Sequence, residues 1–327
     1  VTDSPPAQDI VHKGISPESP EARARGVGTT AHGRLSNLGI SKRFWVVLKR
    51  VAVGTYTDGF TYAGNLAYLS LVTLFPFFIV AAAVAQLFGR SAEGIRTLEA
   101  FLQTVPPDVA NVLRKPVADV LQARTGSLLW LGALVGLWTT AGFIETLRGI
   151  LRAAYGVQTS TPFWRYRLGS IGMIVAAVVL AMAAFSFQIV LTAVEQFVYR
   201  LLPLSTEVQT LLSVTRFAPA LALFGALYML FYSLTPRKYR GTECHKWPGP
   251  AFVTIWWMAT TALLPLVLSS LGGYDLTYGS LAGVMIALVF FYIIGLGLVV
   301  GAELNAALAE VPHERLEQGR QKEDGTS

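Results

Sequence analysis

The chain has 327 residues, of which 53% are hydrophobic and only 14% charged, with a formal net charge of +6. A soluble domain carries roughly a quarter charged residues, whereas here the apolar residues gather into runs long enough to cross a hydrocarbon core about 30 Å thick. That patterning excludes an ordinary soluble enzyme or binding domain, and the single cysteine, Cys244, excludes an intramolecular disulfide and a thiolate metal cluster.

Residues 1–41 are rich in Pro, Ser, Gly and charge and contain no apolar h-region. They read as a disordered cytoplasmic arm, neither a signal peptide nor a folded domain. The initial Val, taken as a GTG start, points to a bacterial gene. Residues 42–53, KRFWVVLKRVAV, place Phe44, Trp45, Leu48 and Val51 on one face, with Lys42, Arg43, Lys49 and Arg50 interleaved. This pattern fits an amphipathic helix lying along a membrane surface, and equally a cytosolic extension of the first span.

Six apolar segments follow, at about 60–88, 128–150, 168–195, 210–234, 249–271 and 279–308. Lipid tolerates no unsatisfied backbone, so runs of this length predict helices. The fold class is therefore all-α, a polytopic membrane domain over 42–310 with a cytoplasmic tail at 311–327. Between the first two spans, residues 89–127 carry helical periodicity interrupted at Pro106-Pro107. They predict extracytoplasmic amphipathic helices over one mouth of the bundle, acting as a lid or as plain surface packing.

With this topology nineteen Lys and Arg fall on one side and six on the other, and Arg216 lies within a span. The positive-inside bias predicts that both termini are cytoplasmic. The basic excess is then an orientation signal that meets anionic lipid headgroups in the bilayer, not a nucleic-acid surface.

Ionisable groups inside spans are expensive and mark candidate functional positions. Depth sorts them into an inner set, Glu145, Arg148, Glu303 and Asn305, and an outer pair, Glu195 with Arg216. Glu145 and Arg148 are three residues apart and can pair along one helix face, and by depth Arg148 is also the nearest intramembrane cation to Glu303. Asn305 can hydrogen-bond across helices or satisfy loose backbone groups. Asn65 and Tyr68 make a modest polar stripe in the first span, and Pro76 sits inside it, where a freed carbonyl can line a cavity. These groups serve equally as gates or a proton relay in a transporter, or as bonds that set helix register. Enzyme signatures are missing: the four histidines are scattered, and neither a P-loop nor an Asp-rich metal motif occurs. No cofactor, no metal site and no catalytic residue is expected.

Three stretches resemble the YihY/BrkB family of bacterial inner-membrane proteins, once labelled ribonuclease BN. Ala67-Tyr68-Leu69 through Leu74-Phe75-Pro76 is similar to the family's opening motif. Leu234-Thr235-Pro236 through Trp247-Pro248-Gly249-Pro250 is similar to its basic, Pro-rich loop, with Pro250 in place of the usual Ala. Tyr278-Gly279-Ser280-Leu281-Ala282-Gly283 through Gly301-Ala302-Glu303-Leu304-Asn305-Ala306 resembles its final signature. Arg152 stands where the family often has Asn. The resemblance spans roughly 45–310 and implies six transmembrane helices with cytoplasmic termini in the inner membrane, and a transporter or exporter. The expected function is movement of a small amphiphilic metabolite or lipid, of unknown identity, through a cavity bounded by spans one, two, four and six. Glu303 and Glu145 are its candidate coupling acids. A non-transporting envelope scaffold is the alternative, and a ribonuclease ranks last. Oligomeric state is unknown at this stage.

Overall fold

The computed structural model describes residues 16–24, 40–87, 106–107, 109–111, 114, 127–157, 164, 167–176, 179, 218–241, 245–271 and 281–309. The regular elements among them are all helical. In chain order they are α1 (Pro20–Ala24), α2 (Ile40–Gly54), α3 (Phe60–Leu87), α4 (Ser127–Tyr155), α5 (Arg167–Ala176), α6 (Ala218–Leu234), α7 (Pro248–Leu271) and α8 (Ala282–Leu308). Among the described residues, Trp130–Tyr155, Pro248–Ser269 and Ala282–Leu308 are long and apolar enough to cross a membrane. The protein is thus a helical membrane protein with several apolar helices.

Of the two readings of residues 42–53, the structure has the extension. α2 passes through a single π-helical turn, Thr55–Gly59, into α3, with helical backbone angles at Gly54 and Phe60 on either side. Such π turns widen a helix locally and recur at functional sites. Phe44, Trp45 and Leu48 stay exposed beside exposed Lys42, Arg43 and Lys49. That outer face has the aromatic and basic character of a membrane–water interface.

The centre of the bundle is α8, which packs against α2, α3, α4 and α7. Lipid offers helices no hydrophobic drive to associate, so close packing of small residues has to hold them together. The buried face of α8 is built that way, from Gly295, Gly297, Gly301, Ala302, Ala306 and Ala307. A Cβ placed on Gly249 of α7 would lie 2.5 Å from the Gly301 carbonyl oxygen, so these two backbones touch directly. Nearby, Trp256 of α7 donates its indole N–H to the Ile293 carbonyl of α8 at 2.8 Å. On the other flank, Gly136 of α4 abuts the backbone of Pro76 in α3. Pro76 therefore lies at a helix crossing.

Two apolar clusters fill the interior. One gathers Leu66, Leu151, Tyr155, Phe231 and Val253 around the C-terminal half of α8; the other gathers Leu74, Leu264, Ile286 and Phe290 around its N-terminal half. Val109 and Ala110, from the region expected to cover one mouth, are buried in the second cluster. Most of the rest of that region lies outside the described residues, as do most of the third expected span and the C-terminal tail.

The arm expected to be disordered over 1–41 needs one correction. Ser16–Ala24 is docked on the bundle, with Ser16, Glu18 and Ser19 buried and Ser19 Oγ accepting the Ala22 N–H at the start of α1. Composition underrates this segment because it docks through directed polar bonds, not by burying apolar area.

Candidate functional site

The last turns of α8 bring α1, α2, α4 and α7 together, and two separate polar arrangements meet there, with a third between α4 and α5. The first surrounds Glu303. Its residue is 7% exposed, on the most apolar of the described helices, and its Oε2 accepts a hydrogen bond from Ser16 Oγ at 3.1 Å. Gly54 lies so close that any Cβ there would collide with the Glu303 carboxyl. Ser16, Gly54, Asp58, Tyr62, Ala153 and Glu303 line a cleft of about 10 Å³, close to the least space that holds one water. Asp58 stands on the π turn and Tyr62 one turn further into α3.

The Ser16–Ala24 segment closes this cleft. Its Ser16 N–H bonds the Ala153 carbonyl at 3.0 Å. Arg23 donates to the carbonyls of Ala306, Ala307 and Ala309, at 3.0, 3.0 and 2.7 Å. These are carbonyls at the end of α8, where the helix dipole is negative; that of Ala306 also accepts the Ala309 N–H at 3.2 Å. Arg50 of α2, 4% exposed, adds a bond to the Ala307 carbonyl at 3.2 Å. Glu21 anchors the other edge, accepting from Lys238 Nζ at 2.5 Å and from Tyr239 Oη at 2.7 Å.

The second arrangement belongs to Asn305, which is fully buried. Its Oδ1 accepts the Gly249 N–H at 2.8 Å and its Nδ2 donates to the Lys246 carbonyl at 3.0 Å. α7 begins at Pro248, which has no N–H, so Gly249 carries the first unsatisfied donor of that helix. Asn305 supplies the N-terminal cap of α7 from another helix, and in doing so fastens the preceding loop to α8.

The third arrangement is the ion pair of Glu145, made at 2.8 Å with Arg167 at the start of α5. Arg167 also donates to the Trp138 carbonyl at 2.6 Å and stacks its guanidinium 4.3 Å from the Trp138 ring centre. The other Glu145 oxygen, Oε1, is buried without a hydrogen bond among the described residues.

The inner set of Glu145, Arg148, Glu303 and Asn305 is thus not one network. The partner of Glu145 is Arg167 on a neighbouring helix, where spacing along one helix pointed to Arg148. Glu303 bonds a hydroxyl from the N-terminal segment, where depth pointed again to Arg148. Arg148 acts electrostatically on Arg240. Asn65 and Tyr68 lie exposed on α3, and the cleft-lining residues of that helix do not include them. Glu195 and Arg216 lie outside the described residues. Sequence reasoning missed Ser16, Gly54, Asp58, Tyr62, Arg23 and Arg167 as site members. Asp58 and Arg167 were within reach, since each flanks the start of an apolar run at the same depth as the inner acids. Nothing in the sequence marked Ser16 or Gly54.

Residues 55–326 match the family model described as Virulence factor BrkB. The ribonuclease-like protein YfkH of Bacillus subtilis is 24% identical over 78% of this chain and 91% of its own length. A UPF0761 membrane protein of Alteromonas mediterranea is 26% identical over 82% of this chain and 87% of its own length. A UPF0761 membrane protein of Verminephrobacter eiseniae is 28% identical over 76% of this chain and 59% of its own length. No solved structure matches the chain.

Proposed function

Since the chain belongs to the BrkB family of membrane proteins, we propose that it is a transporter of the bacterial inner membrane that moves a small amphiphilic metabolite or lipid. Six spans with both termini in the cytoplasm would place the Glu303 cleft at the cytoplasmic mouth. The observation that carries this reading is a buried carboxyl on the most apolar of the described helices, facing a small cleft that Asp58, Tyr62 and Ser16 line together with the apolar Ile150 and Val299. An acid held at such a position costs stability and is retained where it serves ion or substrate movement. Glu303 is the coupling acid in this reading. Ser16–Ala24 is the element that keeps the mouth shut, and Glu145 with Arg167 is a second candidate gate.

A small, closed cleft fits a transporter in its inward-closed state and also fits a scaffold, so the two readings part on what Glu303 does. The test compares metabolites and lipids inside and outside cells of the wild type, a deletion strain and a Glu303→Gln strain with matched membrane levels. The amide keeps the size of the side chain and its bond to Ser16 but cannot exchange a proton. A species that accumulates in both mutants, with efflux reduced about tenfold or more on the scale of a lost acid–base group, is the expected result. If the deletion alters a species and Glu303→Gln does not, the acid is structural. If neither alters any species, the protein is a scaffold. The ribonuclease-like name of the Bacillus relative would come to this chain only through metal-dependent RNA cleavage by the pure protein.

A further inference from the structure

The Glu303 cleft already has an occupant, the chain's own N-terminal segment, and the groups that segment brings indicate what fits there. Ser16 gives both of its donors to the bundle, its N–H to the Ala153 carbonyl at 3.0 Å and its hydroxyl to Glu303 Oε2 at 3.1 Å. Arg23 gives its guanidinium to three carbonyls at the end of α8. The segment therefore presents N–H and O–H groups, and the bundle presents oxygens. A single residue, Ser16, reaches two of those oxygens at once, so they stand close enough to share one small donor group.

The bundle's own share of the cleft is acceptors and hydrocarbon. Asp58 lines it beside Glu303, and both carboxyls act electrostatically on the Tyr62 hydroxyl. Ile150 and Val299, both buried, supply an apolar wall. Among the described residues that line the cleft there is no Lys, Arg or His. Arg23 acts on Glu303 from the docked segment, with Glu18 opposing it from the same segment. Lifting the segment takes both away and leaves Glu303 facing Asp58. Arg50 stays behind, but its guanidinium is turned to the Ala307 carbonyl and does not line the cleft.

We propose that the ligand of this cleft is a primary ammonium ion carried on an alkyl body, and that Ser16–Ala24 is a tethered competitor for the same place. An ammonium has three N–H donors and no acceptor. With the segment lifted, the cleft offers it the Glu303 and Asp58 carboxyls and the Ala153 carbonyl, while Ile150 and Val299 take the alkyl part. An anion is refused there by like charge. A neutral alcohol brings one donor where three acceptors need partners, and buried acceptors left unmatched are costly. The inference rests on the reading of this cleft as the substrate mouth, and it narrows the amphiphile to a cationic one.

The test follows amide hydrogen exchange in Ser16–Ala24 by mass spectrometry, on the full chain in neutral detergent, as hexylammonium is titrated in at constant ionic strength. Hexanol, hexanoate and hexyltrimethylammonium are the comparison solutes, the last keeping the charge without an N–H. Saturating hexylammonium is expected to speed exchange in the segment about tenfold, because a displaced segment loses its Ser16 and Arg23 bonds together. The other three solutes should leave exchange near its starting rate. Arg23→Gln loosens the competitor without touching the cleft lining, and should lower the half-effect concentration of hexylammonium roughly tenfold. Glu303→Gln and Asp58→Asn should each raise it about tenfold or more, the scale of one charge-assisted hydrogen bond. No response to hexylammonium would overturn the ammonium ligand, and so would an equal response to hexanol or hexyltrimethylammonium. Should Glu303→Gln fail to fold, Asp58→Asn decides: an unchanged half-effect concentration there also overturns the site. None of these readouts requires movement across a membrane. A chain that answers hexylammonium but exports nothing in the three-strain comparison keeps the ligand and loses the transport reading.

Discussion

Asn305→Leu is expected to lower the thermal midpoint of the detergent-purified protein by on the order of 5–10 °C. Leucine fits the volume but strands the Gly249 N–H and the Lys246 carbonyl, both of which bond the amide in a position sealed from water. Each buried polar group left without a partner costs about 1–3 kcal/mol, so the pair amounts to roughly 2–6 kcal/mol. Asn305→Asp separates the two halves of the effect. Sealed from water, the acid is neutral; it still accepts the Gly249 N–H, but one O–H replaces the two amide donors that faced the Lys246 carbonyl. The expected order of midpoints is therefore wild type, Asp, then Leu. Gly249→Ala tests the same contact from the other side, because its Cβ would meet the Gly301 carbonyl oxygen at 2.5 Å and the Asn305 side chain at 2.8 Å. An Asn305→Leu protein that melts with the wild type would show that this amide does not fasten α7 to α8.

Removing residues 1–24 is expected to uncover the Glu303 cleft and to speed chemical modification of its floor. The probe is Ala153→Cys in a Cys244→Ser background, since Ala153 lines the cleft and bonds Ser16 through its carbonyl. In the full chain a thiol there reacts only when the segment lifts. Arg23, Ser16 and Glu21 hold it with several hydrogen bonds to α8, α4 and the α6–α7 loop. We take a local opening free energy of about 2 kcal/mol for the segment, toward the low end of the range such openings span. Maleimide labelling should then be roughly thirtyfold faster after the deletion, by the same arithmetic that relates local opening to protection. Arg23→Gln should fall between, because it removes the clamp on the α8 carbonyls and leaves the Ser16 and Glu21 contacts. Equal labelling rates in the full and shortened chains would mean that the segment does not cover the cleft.

Helix position was legible because it depends on one-dimensional quantities. Apolar runs at 60–88, 249–271 and 279–308 reappear as Phe60–Leu87, Pro248–Leu271 and Ala282–Leu308, and their length and charge depletion are properties of consecutive residues. Membership of the BrkB family was likewise legible, since motifs such as the GAELNA stretch are read along the chain. The bonding capacity of Asn305 could be stated in advance, but its two partners could not.

Consecutive residues therefore specify a set of apolar helices, the family, and the short roster of acids and amides that a membrane interior makes expensive. Which of those groups meet depends on how the helices pack. Depth along a span says nothing about azimuth, so Glu145 paired with Arg167 and Glu303 with Ser16 although Arg148 lay at a suitable depth for both. The docking of Ser16–Ala24 was hidden for a related reason. Its hold comes from carbonyls at the end of α8 and from a cleft floored by α4, surfaces that exist only once the helices have assembled, and a polar segment carries no local signal of acceptors so far away in the chain.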